Sequence, residues 1–190
     1  MLGLVILAGT ADCFSQQSNT VQGAPFPTIT AATAIVINQD TGAVLGAKDP
    51  DTLRANPSTT KMMTALVAIE RAGAAGLDAI AGPVSVKAAQ TYGSTMNLQA
   101  GDTLSLRDLL YGLMLPSGND AAVAIAESIS GDEAVFVTLM NDRARSLGLS
   151  NTSYRNCFGY DPFELPDQCV PPYSSMMARV HLSAGRFPPS

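Results

Sequence analysis

The 190-residue chain has no tryptophan, a single histidine (His181) and only three cysteines, and 14% of its residues are charged. An excess of basic residues is also lacking. The formal net charge is −5, so phosphates would find few cations to neutralise them, which argues against nucleic acid as a partner. Three cysteines are too few for a disulfide scaffold, and no Cys-x-x-Cys pair points to zinc. The residue pattern calls for no metal and no cofactor. No apolar run reaches the roughly 18 residues that span a bilayer as a helix, so membrane association is not encoded in this chain. The length fits one domain, large enough to bury a core without a staple.

The amino terminus carries a short apolar stretch, Leu2-Gly3-Leu4-Val5-Ile6-Leu7-Ala8, followed by the small residues Gly9, Thr10 and Ala11. This is the pattern of a signal-peptide core with its cleavage region, although no basic residue precedes it; a buried strand or frayed end is the alternative. Residues 15–30 are polar and Pro-bearing and read as a linker. The expected division is a leader and linker over 1–23 and one domain over 24–190, exported to the periplasm or another extracytoplasmic part of the cell envelope. In an oxidising compartment Cys157 and Cys169 could pair across a short loop, or stay independent thiols.

Ala34-Ile35-Val36-Ile37-Asn38, the turn residues Asp40-Thr41-Gly42 and the apolar Ala43-Val44-Leu45 predict a β-hairpin. A helix is predicted from near Ser58 to Gly73, with Met62, Leu66, Ile69, Met63 and Val67 on its apolar face. Short strands and turns follow over 84–104, where Val84 and Val86 alternate. Ser105 and Asp108 form a capping box ahead of the stripe Leu106, Leu109, Leu110, Leu113 and Met114. After Pro116-Ser117-Gly118, Asn119 or Asp120 caps a further helix that ends at Gly131. Asp132 caps the next, whose buried face is Phe136, Leu139, Met140 and Leu147, with Gly148 as a left-handed cap. One more helical turn is predicted over 174–182. A hairpin alone is marginal in water, and no further long strand candidate completes its sheet.

Two constellations could carry chemistry. Ser58 and Lys61 stand three apart at a helix start, on one side and one turn apart. The helix N-terminus favours an alkoxide and disfavours a nearby ammonium. If burial also depresses the lysine, its neutral amine can act as a base for the hydroxyl. The plainer reading makes Ser58 a helix cap and Lys61 a solvated charge. The second constellation is Ser117-Gly118-Asn119, in a turn expected to present both side chains outward. A hydroxyl there can relay a proton to a leaving amine, and a carboxamide can bind a substrate amide from both its sides. Ordinary turn and cap chemistry is the alternative.

Together, Asn56-Pro57-Ser58-Thr59-Thr60-Lys61-Met62-Met63 and Leu115-Pro116-Ser117-Gly118-Asn119-Asp120-Ala121-Ala122 resemble the first two motifs of the D-alanyl-D-alanine carboxypeptidases, the low-molecular-mass penicillin-binding proteins. The resemblance runs from about residue 31 to 180, Tyr173-Ser174-Ser175 included. It implies an α+β fold of the DD-peptidase/β-lactamase kind, with an N-terminal β-hairpin and a helical body. Ser58 would be the acylated nucleophile and Lys61 its general base. Ser117 would pass a proton to the leaving D-alanine, and Asn119 would hold the substrate peptide group. Part of the oxyanion hole would be the Ser58 N–H. Peptidoglycan stem peptides would be the substrate and β-lactam antibiotics covalent inhibitors.

The family's third motif, Lys-[Thr/Ser]-Gly, does not occur: the lysines are Lys48, Lys61 and Lys87, and none precedes Thr-Gly or Ser-Gly. His181-Leu182-Ser183-Ala184-Gly185 does not replace it. The expectation is therefore an amino-terminal portion of such an enzyme, without its C-terminal sheet strands, poorly stable and with little or no activity as it stands. Asn156-Cys157-Phe158-Gly159 departs from the family's usual His-Gly-Leu, a change expected to affect the loop more than the chemistry. A serine β-lactamase is the competing enzyme, disfavoured by Gly118. A chain that only binds peptidoglycan or a partner, without catalysis, is the non-enzymatic alternative.

Overall fold

The computed structural model describes residues 2–5, 18–19, 27–38, 44–50, 57–73, 76–149 and 151–159. The turn at 40–42, Cys169, the Tyr173–Ser175 segment, the helical turn predicted over 174–182 and His181 lie outside these residues.

The predicted hairpin is present. Strand β3 (Ala34–Asn38) pairs antiparallel with β4 (Val44–Lys48), with an irregularity between Val36 and Ile37. Two strands add to its edges: β1 (Leu2–Val5) pairs with β3 and β2 (Ser18–Asn19) with β4, giving the order β1-β3-β4-β2. Extended partners for the hairpin thus come from segments that hydropathy marks as leader and linker, because an open ladder edge takes any extended backbone that reaches it.

The body is helical. It comprises α1 (Thr60–Arg71), the short α2 (Val86–Ala89), α3 (Leu106–Met114), α4 (Asn119–Ser130) and α5 (Glu133–Ser146). A small antiparallel pair, β5 (Ile80–Pro83) and β6 (Thr103–Ser105), flanks it. Val86 does not continue a strand: Ser85 accepts the Ala88 N–H at 2.9 Å and starts a helical turn there instead.

At the centre is α4, which touches α1, α2, α3, α5 and β5. Residues Asn119 to Ala126 are all buried. Such a helix needs small residues on every face, and Ala121, Ala122, Ala124 and Ala126 supply them. Around it pack Leu106, Leu109 and Leu113 of α3, Phe136 and Met140 of α5, and Met63 and Val67 of α1.

The helix ends follow the sequence closely. Ser105 and Asp108 form the capping box of α3. Gly131 closes α4 in the left-handed region at φ 77°, and Asp132 caps α5 through the Ala134 and Val135 N–H groups. Gly148 is likewise left-handed, at φ 76°. Three details differ. Gly118, not Asn119 or Asp120, is the N-cap of α4. Met114 falls on the exposed side of α3. Ile69, expected in the core, is 52% exposed, while Thr60, Lys61 and Thr64 are buried.

Asp132→Ala leaves two α5 amides without their acceptor. It should cost about 1 kcal/mol, read as a lower urea midpoint at unchanged slope.

Candidate active site

The start of α1 is wound tightly before the regular helix begins. The Thr60, Lys61 and Met62 N–H groups donate to the carbonyls of Pro57, Ser58 and Thr59 at 3.0, 3.1 and 3.1 Å. These i→i+3 bonds are of the 3₁₀ type, which is why the helix proper starts at Thr60 and not at Ser58. Pro57 suits this entry, since its missing N–H would have no partner there. Ser58 is exposed on the turn and Lys61 is turned inward.

Only 3% of Lys61 is accessible, and its Nζ donates to the Phe158 carbonyl at 3.1 Å. Burial lowers its pKa from 10.5 to about 8, and the neighbouring Cys157 works in the opposite sense. Cys157 is itself pushed up, by burial first and then by Glu133, so it is an uncharged thiol where Lys61 titrates. Burial therefore governs the amine. A lysine held this way is the opposite of a solvated first-turn charge.

The segment 156–159, which the sequence marks as a departure, holds this end of α1. Besides the Phe158 carbonyl on Lys61, the Cys157 carbonyl accepts from Thr64 Oγ1 at 2.6 Å. Gly159, at φ +84°, runs so close to Pro57 that a Cβ would lie 1.8 Å from the proline carbonyl oxygen. Cys157 is buried, with its Sγ 3.4 Å from Glu133 Oε1, and Glu133 pairs with Lys87 at 2.8 Å. Backbone carbonyls do the work here, so the side-chain change from the usual His-Gly-Leu leaves the contact to Lys61 in place. Phe158 and Gly159 stand out in the sequence only as part of a departing segment and Thr64 not at all, because a contact to a backbone carbonyl leaves no mark in side-chain pattern.

The second constellation lies between α3 and α4. The Gly118 N–H reaches the Gly112 carbonyl at 3.0 Å and closes the turn. Ser117 occupies the left-handed region at φ 61°, and its Oγ is buried without a hydrogen-bond partner. Strained backbone and an unpaired buried hydroxyl both cost free energy, a combination that clusters at functional sites. Asn119 does not project outward as expected. It is 3% exposed, its Nδ2 donates to the Tyr92 carbonyl at 2.7 Å and its backbone N–H to the Ser94 carbonyl at 2.7 Å. A turn residue drawn inward this way acts as a structural tie as well. The helices that begin at the two constellations, α1 and α4, pack directly on each other.

Fold comparison defines the class first. The D-alanyl-D-alanine carboxypeptidase DacD of Francisella tularensis superposes with a TM-score of 0.69 at 34% identity, over 77% of this chain and 36% of that one. The Streptomyces K15 DD-transpeptidase gives 0.64 at 36%, over 70% and 54%. The α+β fold is that of the DD-peptidases and penicillin-binding proteins. The family described as D-alanyl-D-alanine carboxypeptidase, peptidase S11, matches residues 18–183, and the chain belongs to it. Among curated relatives, DacF of Bacillus subtilis is 40% identical over 132 residues, covering 68% of this chain and 33% of its own. The D-alanyl-D-alanine carboxypeptidase of Streptomyces sp. K15 is 42% identical over 137 residues, covering 67% and 47%. The chain spans about a third to a half of the length of these curated relatives.

Two substitutions test the local geometry. Gly159→Ala forces a left-handed alanine against Pro57 and should lose on the order of 1–3 kcal/mol or more in urea unfolding. Asn119→Ala, which an outward-facing residue would tolerate, should lose about 1–3 kcal/mol by the same measurement, because the Tyr92 carbonyl forfeits this donor.

Proposed function

We propose that the chain carries the nucleophile half of a serine-type D-alanyl-D-alanine carboxypeptidase that removes the terminal D-alanine from peptidoglycan stem peptides. The observation that carries this reading is the buried Lys61 amine, held to about 8, one turn from the exposed Ser58. An amine with that pKa is substantially neutral near its working pH and can accept the Ser58 proton. The hydroxyl oxygen attacks the carbonyl carbon of the penultimate D-alanine, and the partial positive charge of the α1 N-terminus favours the developing anion. Collapse of the tetrahedral species expels D-alanine and leaves an ester on Ser58. Ser117, with its unpaired Oγ, relays the proton from the Lys61 ammonium to the leaving nitrogen, which restores the neutral amine. Water then attacks the ester; Lys61 takes the water proton and returns it to Ser58 Oγ as the shortened peptide leaves.

Asn119 binds the substrate peptide group through the part of its carboxamide not engaged by Tyr92. β-Lactams mimic the acyl donor and inhibit by the same acylation. Such a substrate lies in the cell envelope, so we place the protein there, with residues 1–23 as leader and linker and the peptidase domain over 24–190. Among the described residues no helix is long and apolar enough to cross a membrane.

The test is covalent labelling with benzylpenicillin, followed by peptide mass mapping. A penicilloyl adduct on Ser58 alone, lost in Ser58→Ala, is expected. No adduct, an adduct elsewhere, or one that persists in Ser58→Ala overturns the assignment.

Lys61 gives a second, pH-resolved test. The labelling rate should climb with pH and level off above about 8 as the amine loses its proton. Lys61→Arg should not label, since guanidinium stays protonated. The folded chain releases this proton at lower pH than the unfolded chain, which holds it to about 10. Between those values the unfolded state binds more protons, so this group raises stability as pH increases. Below about pH 8 a buried ammonium persists, and Lys61→Met should raise Tm there while abolishing labelling.

A further inference from the structure

We propose that Asp120, which the catalytic scheme does not use, is a positioning residue that fixes the orientation of the Asn119 carboxamide by clasping residues 92–98 onto the start of α4. The Asp120 side chain is completely buried, and its two carboxylate oxygens take bonds from that segment. Oδ1 accepts the Met96 N–H at 3.0 Å, as well as that of Ala121 at 2.8 Å. Oδ2 accepts the Leu98 N–H at 3.0 Å and the Thr95 hydroxyl. The hydroxyl's direction is set by its other bond: Thr95 Oγ1 accepts the Asn97 N–H at 2.8 Å, so its own proton is free to go to the carboxylate.

The same segment returns its carbonyls to the neighbouring residue. Tyr92 and Ser94 accept from the side chain and backbone of Asn119, each at 2.7 Å. Asp120 therefore accepts from the segment while Asn119 donates to it, and the bonds interlock across one turn of helix. Two glycines leave room for the clasp. A Cβ on Gly93 would lie 2.5 Å from Asn119 Nδ2, and one on Gly118 would lie 2.7 Å from Asp120 Oδ1.

Four donors converge on Asp120, so only an acceptor with two oxygens satisfies them all. Burial pushes its pKa up, but the bonds from Thr95, Leu98, Met96 and Ala121 hold it below the usual carboxylate value. The N-terminal end of α4 favours the same negative charge. The consequence for the site is directional. With Nδ2 fixed toward Tyr92, the Asn119 Oδ1 is held at the opposite edge of the carboxamide, where it can accept a substrate N–H. That consequence rests on the carboxypeptidase reading; the clasp itself does not.

The test uses the full chain labelled with ¹⁵N, the Asn119 side-chain resonances being assigned by their loss in Asn119→Ala. Thr95→Val removes one arm of the clasp, and Asp120→Asn puts an NH₂ group where only acceptors fit. In both, the Met96 and Leu98 amides should exchange about tenfold faster or more, as expected for losing a hydrogen bond to a charged group. Phe136 and Met140 amides in α5 should keep their protection, and the Asn119 Nδ2 proton pair should move to the position of a solvated carboxamide. An unmoved Asn119 pair, or exchange that accelerates equally throughout the molecule, overturns the proposal. Should Asp120→Asn fail to fold, Thr95→Val decides alone. Neither readout involves acylation, so a failed penicillin label and a failed clasp are told apart.

Discussion

Burying the first eight residues of α4 on every side is the constraint from which the rest of this structure follows. A helical stretch with no solvent face must be lined by small apolar residues where helices cross it, and its alanines allow α1, α3 and α5 to pack on it. Burial extends to the polar residues of its first turn, Asn119 and Asp120. Buried polar groups without partners would cost several kcal/mol. The segment 92–98 answers that demand from both sides, giving N–H groups to the aspartate and carbonyls to the asparagine. The seating of segment 92–98 on the start of α4 is thus a by-product of satisfying the core.

Helix α1 mixes polar residues into its buried face. In an ordinary amphipathic helix that face is apolar, yet α1 turns Thr60, Lys61 and Thr64 inward beside Met63, Val67 and Ala68 and leaves Ile69 largely in solvent. The mixture is possible because backbone carbonyls of Cys157 and Phe158 wait at the buried face. A carbonyl attracts an ammonium less than a carboxylate would, so Lys61 stays depressed instead of being locked in a salt bridge. The helix gives up stability at this position in exchange for a titratable amine.

Much of the framework was legible in the sequence because it depends on neighbours along the chain. The capping box at Ser105, the Asp132 cap, the left-handed glycines at 131 and 148 and the β3–β4 hairpin are local devices, each decided within a few residues. Ser58, Lys61, Ser117 and Asn119 were also visible, as two short motifs in register. The failures come from rules that read burial and structure off residue type and spacing. Apolar character at helical spacing put Ile69 and Met114 in the core, polar turn chemistry put Asn119 on the surface, and alternation put Val86 in a strand where the Ser85 cap starts a helical turn.

The sequence alone therefore determined the boundaries of α1, α3, α4 and α5 to within a residue or two and the chemical types at the two motifs, since those follow from spacing and capping, while the class of fold was implied by the motifs' resemblance to a known family. Tertiary structure alone decided what the types can do. The approach of Phe158 to Lys61 spans 97 residues and that of Tyr92 to Asn119 spans 27. Both contacts are made to backbone carbonyls, which every residue carries and no side-chain pattern advertises. Burial of the lysine, and with it an amine held to about 8, is likewise a property of the packed molecule.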